Sequence, residues 1–262
     1  MAILSKKTAL ITGVSSGIGR ACAKAFSAAG ARLILIARRE RRINELATQL
    51  KRAHRTACYP IPLDVRDRLA VEKAIRQLPR AWRAIDILIN NAGLSRGLDK
   101  LHEGSIDDWE EMIDTNIKGL LYVSRAVIPS MVDRARGTII NIGSIAGHDV
   151  YPRGNVYCAT KRAVDGLTTG LRMDLMDTPL RVCTVDPGLV ETEFSVIRFR
   201  GDGKRAKQVY EDVTPLRPQD VADAVLYCAT RPVHVQVAAV VLLATAQAGS
   251  TMVHRGPVRR KV

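Results

Sequence analysis

Tyr157 and Lys161 are separated by three residues in the sequence. Positions i and i+4 share one face of a helix, so a helix here would hold the Lys161 ammonium close to the Tyr157 phenol. A cation ~5 Å from a phenol, at an effective dielectric of ~20, favours the phenolate by roughly 3 kcal/mol, which is about 2 pKa units. The spacing therefore predicts that Tyr157 acts as a general acid or base near neutral pH. An exposed helix pair with the same spacing is the alternative interpretation.

Two short segments with small or polar side chains follow apolar runs that are typical of strands. Ser144 comes after the run at 137–142, and Asn90–Gly93 follows the run at 85–89. Ligands of an open parallel sheet bind beyond the carboxyl ends of its strands. We therefore expect Ser144 to donate a hydrogen bond to a substrate oxygen. We expect the small residues of 90–93 to leave room for a cofactor.

The elements that must position these side chains alternate along the chain. Seven short runs are continuously apolar, as expected for parallel strands covered on both faces: 8–12, 32–37, 59–63, 85–89, 137–142, 180–185 and 239–243. Segments with helical periodicity separate them: 17–29, 39–54, 68–78, 107–135 and 155–176. The alternation predicts a Rossmann-like, doubly wound α/β parallel sheet of about seven strands with helices on both faces. No linker divides residues 1–262, so we expect a single domain, with a mobile, substrate-covering insertion at 194–213.

A glycine-rich turn, Thr12–Gly19, joins the first predicted strand to the first predicted helix. Gly13 permits a tight turn, Gly17 leaves out a side chain where a pyrophosphate would approach, and Gly19 permits close helix packing. The helix N-terminus adds unpaired N–H groups and a partial positive charge. The strand–turn–helix context predicts a dinucleotide site, and a purely structural turn is the alternative.

The residues after the second predicted strand indicate which dinucleotide is bound. A site for NAD places a carboxylate there, about 20 residues on, to bind the ribose 2′-hydroxyl. This chain instead has Arg38 and Arg39, whose guanidinium groups suit a 2′-phosphate. We therefore predict NADP(H) as the cofactor, with Arg38 as the main selector. Arg41 and Arg42 are interpreted as part of a solvated basic face.

The composition is that of an ordinary globular chain and excludes several classes of protein. The 262 residues are 47% hydrophobic and 25% charged, which excludes disordered, collagen-like and coiled-coil proteins. No apolar run reaches the ~18–20 residues of a membrane span, and no signal peptide is visible. We therefore expect a cytoplasmic protein without membrane contact. The five scattered cysteines form no Cys-x-x-Cys pair, so they predict neither a disulfide framework nor a metal site.

The formal net charge of +14 is large for a chain of this size. It is compatible with an anionic ligand, with nucleic acid, or with solubility alone. Aromatic residues make up only 4% of the chain, which argues against recognition of stacked bases, and we expect no specific nucleic-acid partner. A non-catalytic nucleic-acid binder or NADP sensor is the alternative from another function class. Such a protein would have no use for the combination of Asn116, Ser144, Tyr157 and Lys161.

These motifs resemble the short-chain dehydrogenase/reductase family from Thr8 to about His254, with Ser144 at the family spacing of 13 residues before Tyr157. The resemblance implies that Tyr157 exchanges a proton with the substrate oxygen and that Ser144 hydrogen-bonds this oxygen. It implies that Lys161 binds the nicotinamide ribose and that Asn116 holds a water in the proton relay. Asp64 and Val65 are expected to contact adenine, and 187–195 to cover the nicotinamide. The predicted cofactor-binding residues are Gly13, Val14, Ser15, Ser16, Gly17, Ile18, Gly19, Arg38, Arg39, Asp64, Val65, Asn91, Ala92, Gly93, Tyr157, Lys161, Pro187, Gly188, Val190 and Thr192.

A narrower resemblance is to the NADP-dependent 3-hydroxy acid dehydrogenases. This subgroup includes serine and allo-threonine dehydrogenases and semialdehyde reductases, and sulfonate-aldehyde reductases are similar. The resemblance is carried by residues 113–116, 154–157, 187–194 and 232–235. It implies a short, polar, anionic hydroxy acid, or its aldehyde or ketone, as substrate, and a homotetramer. A larger ketone or a sugar-derived aldehyde is the alternative substrate.

The chain departs from this subgroup at Arg96 and Arg153, where small or neutral residues are usual, and in a basic tail at 255–262. Arg153 lies four residues before the catalytic tyrosine, so we expect it to bind a substrate anion. Arg198 and Arg200, in the insertion, and Arg96 are further candidates for this role. The alternative for each of them is a surface arginine in a basic chain.

Overall fold

The computed structural model describes residues 2–256, which form a seven-stranded sheet with helices on both faces. The strands are β1 Thr8–Thr12, β2 Arg32–Ala37, β3 Cys58–Pro62, β4 Ile87–Asn90, β5 Thr138–Ile142, β6 Arg181–Pro187 and β7 Ala239–Leu242. The α-helices are α1 Gly17–Ala28, α2 Glu40–His54, α3 Arg68–Arg76, α4 Ile106–Ile113, α5 Leu120–Asp133, α6 Asn155–Asp174, α7 Phe194–Arg198, α8 Gly203–Gln208 and α9 Pro218–Thr230. Short 3-10 turns lie at Arg80–Trp82 and Ile145–Gly147.

All neighbouring strands are parallel, in the order β3-β2-β1-β4-β5-β6-β7. The direction of winding reverses between β1 and β4, which is where ligands of such sheets bind, beyond the carboxyl ends of the strands. The predicted doubly wound α/β fold is confirmed. β1 and β2 have the predicted bounds, and the other strands differ from the predicted runs by one or two residues at their ends.

The predicted helix at 107–135 is in fact three successive helical segments. α4 ends at Ile113, a wider π-helical turn spans Asp114–Gly119, and α5 begins at Leu120. Such π turns are usually local features of α-helices and are frequent at functional sites. The apolar periodicity continues through all three segments, so the sequence pattern alone does not reveal the turn.

Two apolar layers cover the middle of the sheet. On one face α1, α2 and α9 pack around Phe26 and Leu46, and on the other face α3 and α5 pack around Val71 and Met131. The five middle strands are almost continuously buried between these layers, which explains their apolar sequences. The expectation of two covered faces is wrong for β7, where Val240 and Leu242 pack against the first of these layers but Val241, on the other face, is 50% exposed.

Residues 194–213, the proposed insertion, contain the short helices α7 and α8 between β6 and α9. The chain then returns to the sheet side, where Leu216 forms an isolated bridge with Val190. Within residues 2–256, no helix has the length and apolar character needed to cross a membrane. Residues 257–262 of the predicted basic tail lie outside the described residues.

Candidate active site

A cavity of about 440 Å³ opens at the carboxyl ends of β1, β4, β5 and β6. It is lined by the loops that follow these strands, by the start of α6 and by the insertion. The predicted site residues that line it are Gly13, Ser16, Gly17, Ile18, Asn91, Ala92, Gly93, Ser144, Tyr157, Lys161, Pro187, Gly188, Val190 and Thr192. The predicted site residues outside its lining are Val14, Ser15, Gly19, Arg38, Arg39, Asp64, Val65, Asn116 and Arg153.

Tyr157 lies in the first turn of α6 and is buried. Its ring meets that of Phe194 edge-on, with 5.6 Å between centroids, and the guanidinium carbon of Arg198 lies 5.3 Å from its centroid. Burial raises the pKa of the Tyr157 phenol well above its ordinary value, although the charge of Arg198 and a hydrogen bond with Ser144 act in the opposite direction. The predicted lowering of the Tyr157 pKa is therefore wrong for this structure, because desolvation outweighs the charge of Arg198 and the hydrogen bond with Ser144.

Lys161 lies one turn further along α6 and lines the same cavity as Tyr157. Its Nζ donates a hydrogen bond of 2.8 Å to the carbonyl of Ile142, the last residue of β5. Burial lowers the pKa of the ammonium to about 8, and the charge of Asp186 opposes this shift. The structure thus brings the two side chains to one cavity, as their spacing predicts, with the lysine held by the end of the strand.

Ser144 and Asn116 are both buried near this cavity, but they have different surroundings. The Ser144 hydroxyl, which lines the cavity, accepts a hydrogen bond from the backbone N–H two residues on at 3.1 Å. The Asn116 amide donates to the Leu94 carbonyl at 2.8 Å and to Thr160 Oγ1 at 3.0 Å, and accepts from the Leu94 N–H at 2.8 Å. Asn116 therefore ties the loop after β4 to α6. Its role in a water relay stays a prediction.

The glycine turn after β1 adopts the left-handed conformation that favours glycine at Gly13 (φ 72°) and Gly17 (φ 52°). The amide of Asn91 donates to the carbonyl before Gly13 at 2.8 Å and holds the turn in place. A Cβ at Gly17 would lie 3.3 Å from the side chain of Thr192, so this threonine lies directly over the turn. No side chain caps the N-terminus of α1, which leaves its first N–H groups for a ligand. These residues fit the pyrophosphate of a dinucleotide.

The two arginines after β2 differ in their surroundings. The Arg38 side chain is 53% exposed, and its ion pair with Asp64 is loose, at 3.8 Å. Arg39 instead donates hydrogen bonds to two serine side chains of the glycine turn and to Glu193. Arg38 is therefore the arginine that is available to a 2′-phosphate, whereas Arg39 is already engaged.

Asp64 and Val65, the predicted adenine contacts, follow β3 and lie outside the lining of the cavity. Asp64 is ion-paired with Arg66 at 2.6 Å. Burial raises the pKa of Asp64, but the hydrogen bonds from Arg66 outweigh it and hold the pKa below its ordinary value. Val65 is buried against the π turn, where a Cβ at Gly119 would lie 2.7 Å from it. Contact of either residue with adenine stays a prediction.

Three of the four candidate anion-binding arginines are either paired with a carboxylate or lie outside the cavity lining. Arg96 is ion-paired with a glutamate of α4 at 2.6 Å, and Arg200 is ion-paired with an aspartate of the same helix. Arg153 is exposed and is not part of the lining. Binding of a substrate anion by Arg153 stays a prediction, which its position outside the lining does not support. Because α6 begins only at Asn155 and Arg153 has a left-handed backbone (φ 64°), it does not share the helix face of Tyr157.

Arg198 is the candidate that does line the cavity. Its Nε donates to Ser95 Oγ at 2.9 Å and its Nη2 donates to Tyr151 Oη at 2.6 Å. It has no carboxylate partner in the part of the chain that the structure describes, and its Nη1 makes no hydrogen bond there. The cavity therefore contains a fixed cation with one free donor edge next to Tyr157.

Several lining residues were not predicted from the sequence. Tyr151 precedes α6, Tyr210 follows α8, and Gln247 and Arg255 belong to the C-terminal segment. Gln247 Oε1 accepts a backbone N–H of the segment after β6 at 2.9 Å. Tyr210 lies in the predicted insertion. Because aromatic residues are rare in this chain, its presence there could have indicated that it lines the cavity. No pattern indicates that residues near 250 return to the strand ends.

The cavity offers a phenol, a hydroxyl, an ammonium and a guanidinium, which can together polarise a carbonyl and exchange a proton with its oxygen. Among residues 2–256 there is no group of three or more His, Cys, Asp or Glu that could hold a metal ion. All five cysteines are free thiols. The chemistry that these residues themselves support is therefore acid–base chemistry at an oxygen, beside a glycine turn that fits a dinucleotide.

Comparison with known proteins agrees with this geometry. Residues 7–201 match the family model described as short chain dehydrogenase. An NADP-dependent 3-hydroxy acid dehydrogenase of Schizosaccharomyces pombe is 43% identical over 256 residues, 97% of this chain and 99% of that protein. Sulfoacetaldehyde reductase 2 of Chromohalobacter salexigens is 45% identical over 242 residues, 92% of this chain and 95% of that protein. A solved structure, the closed form of serine dehydrogenase complexed with NADP+, has a TM-score of 0.90 at 42% identity and covers 97% of this chain and 100% of that chain.

The chain belongs to the short-chain dehydrogenase family of oxidoreductases, since the family model covers most of its length. Within this family it is similar to the 3-hydroxy acid and serine dehydrogenases named above, along almost the whole of both chains. Both resemblances that the sequence motifs indicated are therefore confirmed.

Proposed function

We propose that the protein is an NADP(H)-dependent oxidoreductase that interconverts a small anionic hydroxy acid and its aldehyde or ketone. The observation that carries this proposal is Arg198, a guanidinium beside the Tyr157 ring that has no carboxylate partner among the described residues. A partly buried cation of this kind can bind a carboxylate or a sulfonate through charge-assisted hydrogen bonds. Because the anion and the reacting oxygen must reach neighbouring side chains, such a site favours small substrates.

The surroundings of Arg198 suit it for holding an anion. The rings of Tyr151, Tyr157 and Phe194 lie 5.7, 5.3 and 5.4 Å from its guanidinium carbon, so the cation is enclosed by aromatic side chains. Hydrogen bonds to two hydroxyls fix two of its three nitrogens. The third nitrogen keeps its donors for a ligand, and the planar fork is then already oriented.

The proton chemistry belongs to Tyr157 and Ser144. Bound NADP(H) supplies hydride exchange with the substrate carbon. Ser144 orients the substrate oxygen by a hydrogen bond, and the Tyr157 phenol gives that oxygen a proton in reduction and takes it back in oxidation. The guanidinium of Arg198 and the hydrogen bond with Ser144 favour the phenolate and so oppose part of the effect of burial on Tyr157. Lys161 lines the same cavity, and its ammonium would act in the same direction.

The choice of NADP(H) is supported by two features of the proposed dinucleotide site. The uncapped N-terminus of α1 suits the pyrophosphate, and the exposed Arg38 suits a 2′-phosphate. One of the similar proteins is named as NADP-dependent, and the similar serine dehydrogenase structure is a complex with NADP+. We therefore assign the role of cofactor selector to Arg38 alone of the two arginines after β2.

The named relatives also support the substrate class. One is named for 3-hydroxy acids, one for sulfoacetaldehyde and one for serine. A carboxylate or a sulfonate is common to these compounds, and each stands a few bonds from the carbon that carries the oxygen. Arg198 is the guanidinium of this cavity that lies beside the Tyr157 ring, where such an anion would meet it.

A screen for cofactor-linked absorbance changes tests this proposal, run in both directions with both nicotinamides. Hydroxy acids, semialdehydes, sulfonates and keto sugars are each compared with an uncharged analogue of the same size, such as the amide of the acid. Arg198→Gln is expected to raise KM for the anionic substrates by about tenfold or more, because a charge-assisted hydrogen bond is lost, and to leave KM for the uncharged analogues unchanged. Turnover of both kinds of substrate should fall, because Arg198 also favours the Tyr157 phenolate. Arg153→Gln is the matched control and should change neither KM. Equal changes of KM for charged and uncharged substrates, or turnover of keto sugars and larger ketones alone, would contradict the proposal.

Oligomeric state and the cover over the substrate belong to the same proposal. We propose a homotetramer, which sedimentation analysis distinguishes from a single chain of 28.7 kDa. The insertion at 194–213 contributes Phe194, Arg198 and Tyr210 to the cavity, which supports its proposed role as a substrate cover. Location in the cytoplasm stays a prediction.

A further inference from the structure

One carboxylate of the segment after β6 is bound by two arginines next to the cofactor side of the sheet. Arg39 Nη1 lies 2.8 Å from Glu193 Oε2, and Arg42 Nη1 lies 2.6 Å from Glu193 Oε1 and 3.0 Å from Oε2. Arg39 directly precedes α2 and Glu193 directly precedes α7, so these ion pairs join two distant parts of the chain. The interpretation of Arg42 as part of a solvated face is therefore wrong, because its guanidinium binds Glu193.

Arg39 also binds the glycine turn. Its Nε and Nη2 donate to Ser15 Oγ at 3.0 and 2.8 Å, and its Nη2 donates to Ser16 Oγ at 2.8 Å. Together with the bond from Nη1 to Glu193, every nitrogen of this guanidinium has a partner within the protein. Arg39 thus connects the turn that forms the base of the dinucleotide site with the segment that passes over it.

The segment that Glu193 belongs to carries groups on both sides of the cavity. Thr192 lies over the glycine turn, where a Cβ at Gly17 would be 3.3 Å away. Phe194 packs against the ring of Tyr157, and Arg198 lies four residues further along α7. A shift of Glu193 would therefore move the cover of the dinucleotide and the proposed anion-binding residue at the same time.

We infer that Arg39, Arg42 and Glu193 form a clamp that holds residues 187–198 closed over the glycine turn. In this assignment Arg39 is a positioning residue for closure and not a ligand of the 2′-phosphate, which is left to Arg38. Although burial raises the pKa of Glu193, the hydrogen bonds from Arg39 and Arg42 outweigh it and hold the pKa below its ordinary value, so the carboxylate stays ionised near neutral pH. The clamp does not depend on the proposed function, and only the test by cofactor binding rests on it.

A competing role for the same residues makes the opposite prediction. In that role Arg39 and Arg42 bind the 2′-phosphate, and Glu193 occupies them until the cofactor arrives. Removal of the carboxylate would then free two cations and tighten the binding of NADPH alone. The clamp predicts weaker binding of every nicotinamide dinucleotide, because the cover is lost whatever the 2′ substituent.

The first test is limited proteolysis of the full chain by trypsin, with the cleavage sites mapped by mass spectrometry. Glu193→Gln is expected to increase the rate of cleavage after Arg198, Arg200 and Lys204 by about threefold to tenfold. The increase is modest because the variant loses two ion pairs that are partly exposed, and such ion pairs stabilise only weakly. Arg41→Gln is the matched control, because it removes an arginine of the same helix whose ion pair is with Glu45 of that helix. Equal cleavage rates in the wild type and Glu193→Gln would overturn the clamp.

The second test is fluorescence titration with NADPH and NADH. Glu193→Gln and Arg39→Gln are expected to weaken both dinucleotides by the same factor, of several-fold, whereas Arg38→Gln weakens NADPH alone. Addition of Arg42→Gln to Glu193→Gln should cause no further loss, because the two residues act through one contact. Selective tightening of NADPH by Glu193→Gln would overturn the clamp. If the wild type bound neither dinucleotide, the proposed function would fail, while the proteolysis result would still decide on the clamp.

Discussion

Lys161 is the buried cation on which the proposed chemistry of Tyr157 depends. Its pKa is about 8, because burial disfavours the ammonium more than the charge of Asp186 favours it. The protonated form therefore costs folding free energy below that pH, although the hydrogen bond to Ile142 offsets part of the cost. Because the amine has different pKa values in the folded and unfolded chain, the free energy of unfolding should depend on pH in a measurable way.

We expect the stability of the wild type to rise relative to Lys161→Met between pH 8 and 10.5. The folded-state pKa is lowered from 10.5 to about 8, so in this interval the unfolded chain binds more protons and stability increases with pH. The gain is up to about 3 kcal/mol for a buried group. Urea unfolding at several pH values measures it, with the exposed Lys51→Met as control. A difference between wild type and Lys161→Met that does not change with pH would contradict this environment for the amine.

Arg38 gives a second prediction that concerns a single residue. Arg38→Gln should weaken NADPH by about 10- to 100-fold, because it removes charge-assisted hydrogen bonds worth about 1.5–3 kcal/mol. Binding of NADH should change little, since this cofactor has no phosphate at the 2′ position. Isothermal titration with both cofactors measures the ratio. Equal losses for the two cofactors would refute the role of Arg38 as selector.

Residue spacing was sufficient to place Tyr157 and Lys161 at one cavity, because both lie within α6 and the helix fixes their separation. The same spacing did not place Arg153 on the helix face of Tyr157, because α6 begins only at Asn155, between the two residues. The choice of Arg198 among the arginines depends on which cations find a carboxylate in the fold. Arg96 and Arg200 do so through α4, and no local pattern in the sequence shows these long-range pairs.

At the scale of the elements, α3 offers a simple test of the local geometry. Asp67 caps this helix, and its side chain accepts a hydrogen bond from the Ala70 N–H at 3.0 Å. Asp67→Ala should lower the free energy of unfolding by about 1 kcal/mol, because a helix N–H loses its acceptor. Asp67→Asn keeps an acceptor and should cost much less. Denaturant unfolding of both variants checks the cap, and equal stability of Asp67→Ala and the wild type would contradict it.

The order of strands and helices was predictable because the middle strands are covered on both faces and therefore have continuously apolar sequences. The same reasoning failed at β7, which ends the sheet and has exposed side chains. It also missed the π turn at Asp114–Gly119, because the apolar pattern continues through it. What holds that part of the chain is the amide of Asn116, bonded to the loop after β4 and to α6, and such tertiary contacts leave no period in the sequence.

At the scale of the whole molecule, the net charge of +14 should influence how ligands arrive. A positive potential attracts anions from a distance, and added salt screens it over about 10 Å at 0.1 M ionic strength. We expect kcat/KM for an anionic substrate to fall as salt is raised from low to high concentration. An uncharged analogue serves as control and should show no such fall. Identical salt dependence for the two would show that the charge has no part in substrate capture.

The cavity is also a property of the whole chain, because its walls come from distant segments. Gln247 and Arg255 reach it from the C-terminal segment, which is connected to Asp149 before α6 by a 3.0 Å hydrogen bond from the Ser250 N–H. The position of this wall of the cavity depends on packing between chain segments that are about 100 residues apart, so local sequence patterns did not indicate it. Substrate identity depends on the same walls.

The most direct test of the proposed chemistry is single-turnover hydride transfer in Tyr157→Phe. The variant keeps the buried ring next to Phe194 and Arg198 but removes the hydroxyl that exchanges the proton. With enzyme saturated by NADPH and mixed with the best carbonyl substrate from the screen, stopped-flow absorbance should show a rate constant lower by about 10²- to 10⁴-fold, with NADPH affinity largely unchanged. A rate constant equal to that of the wild type would contradict the assignment of Tyr157 as the acid/base.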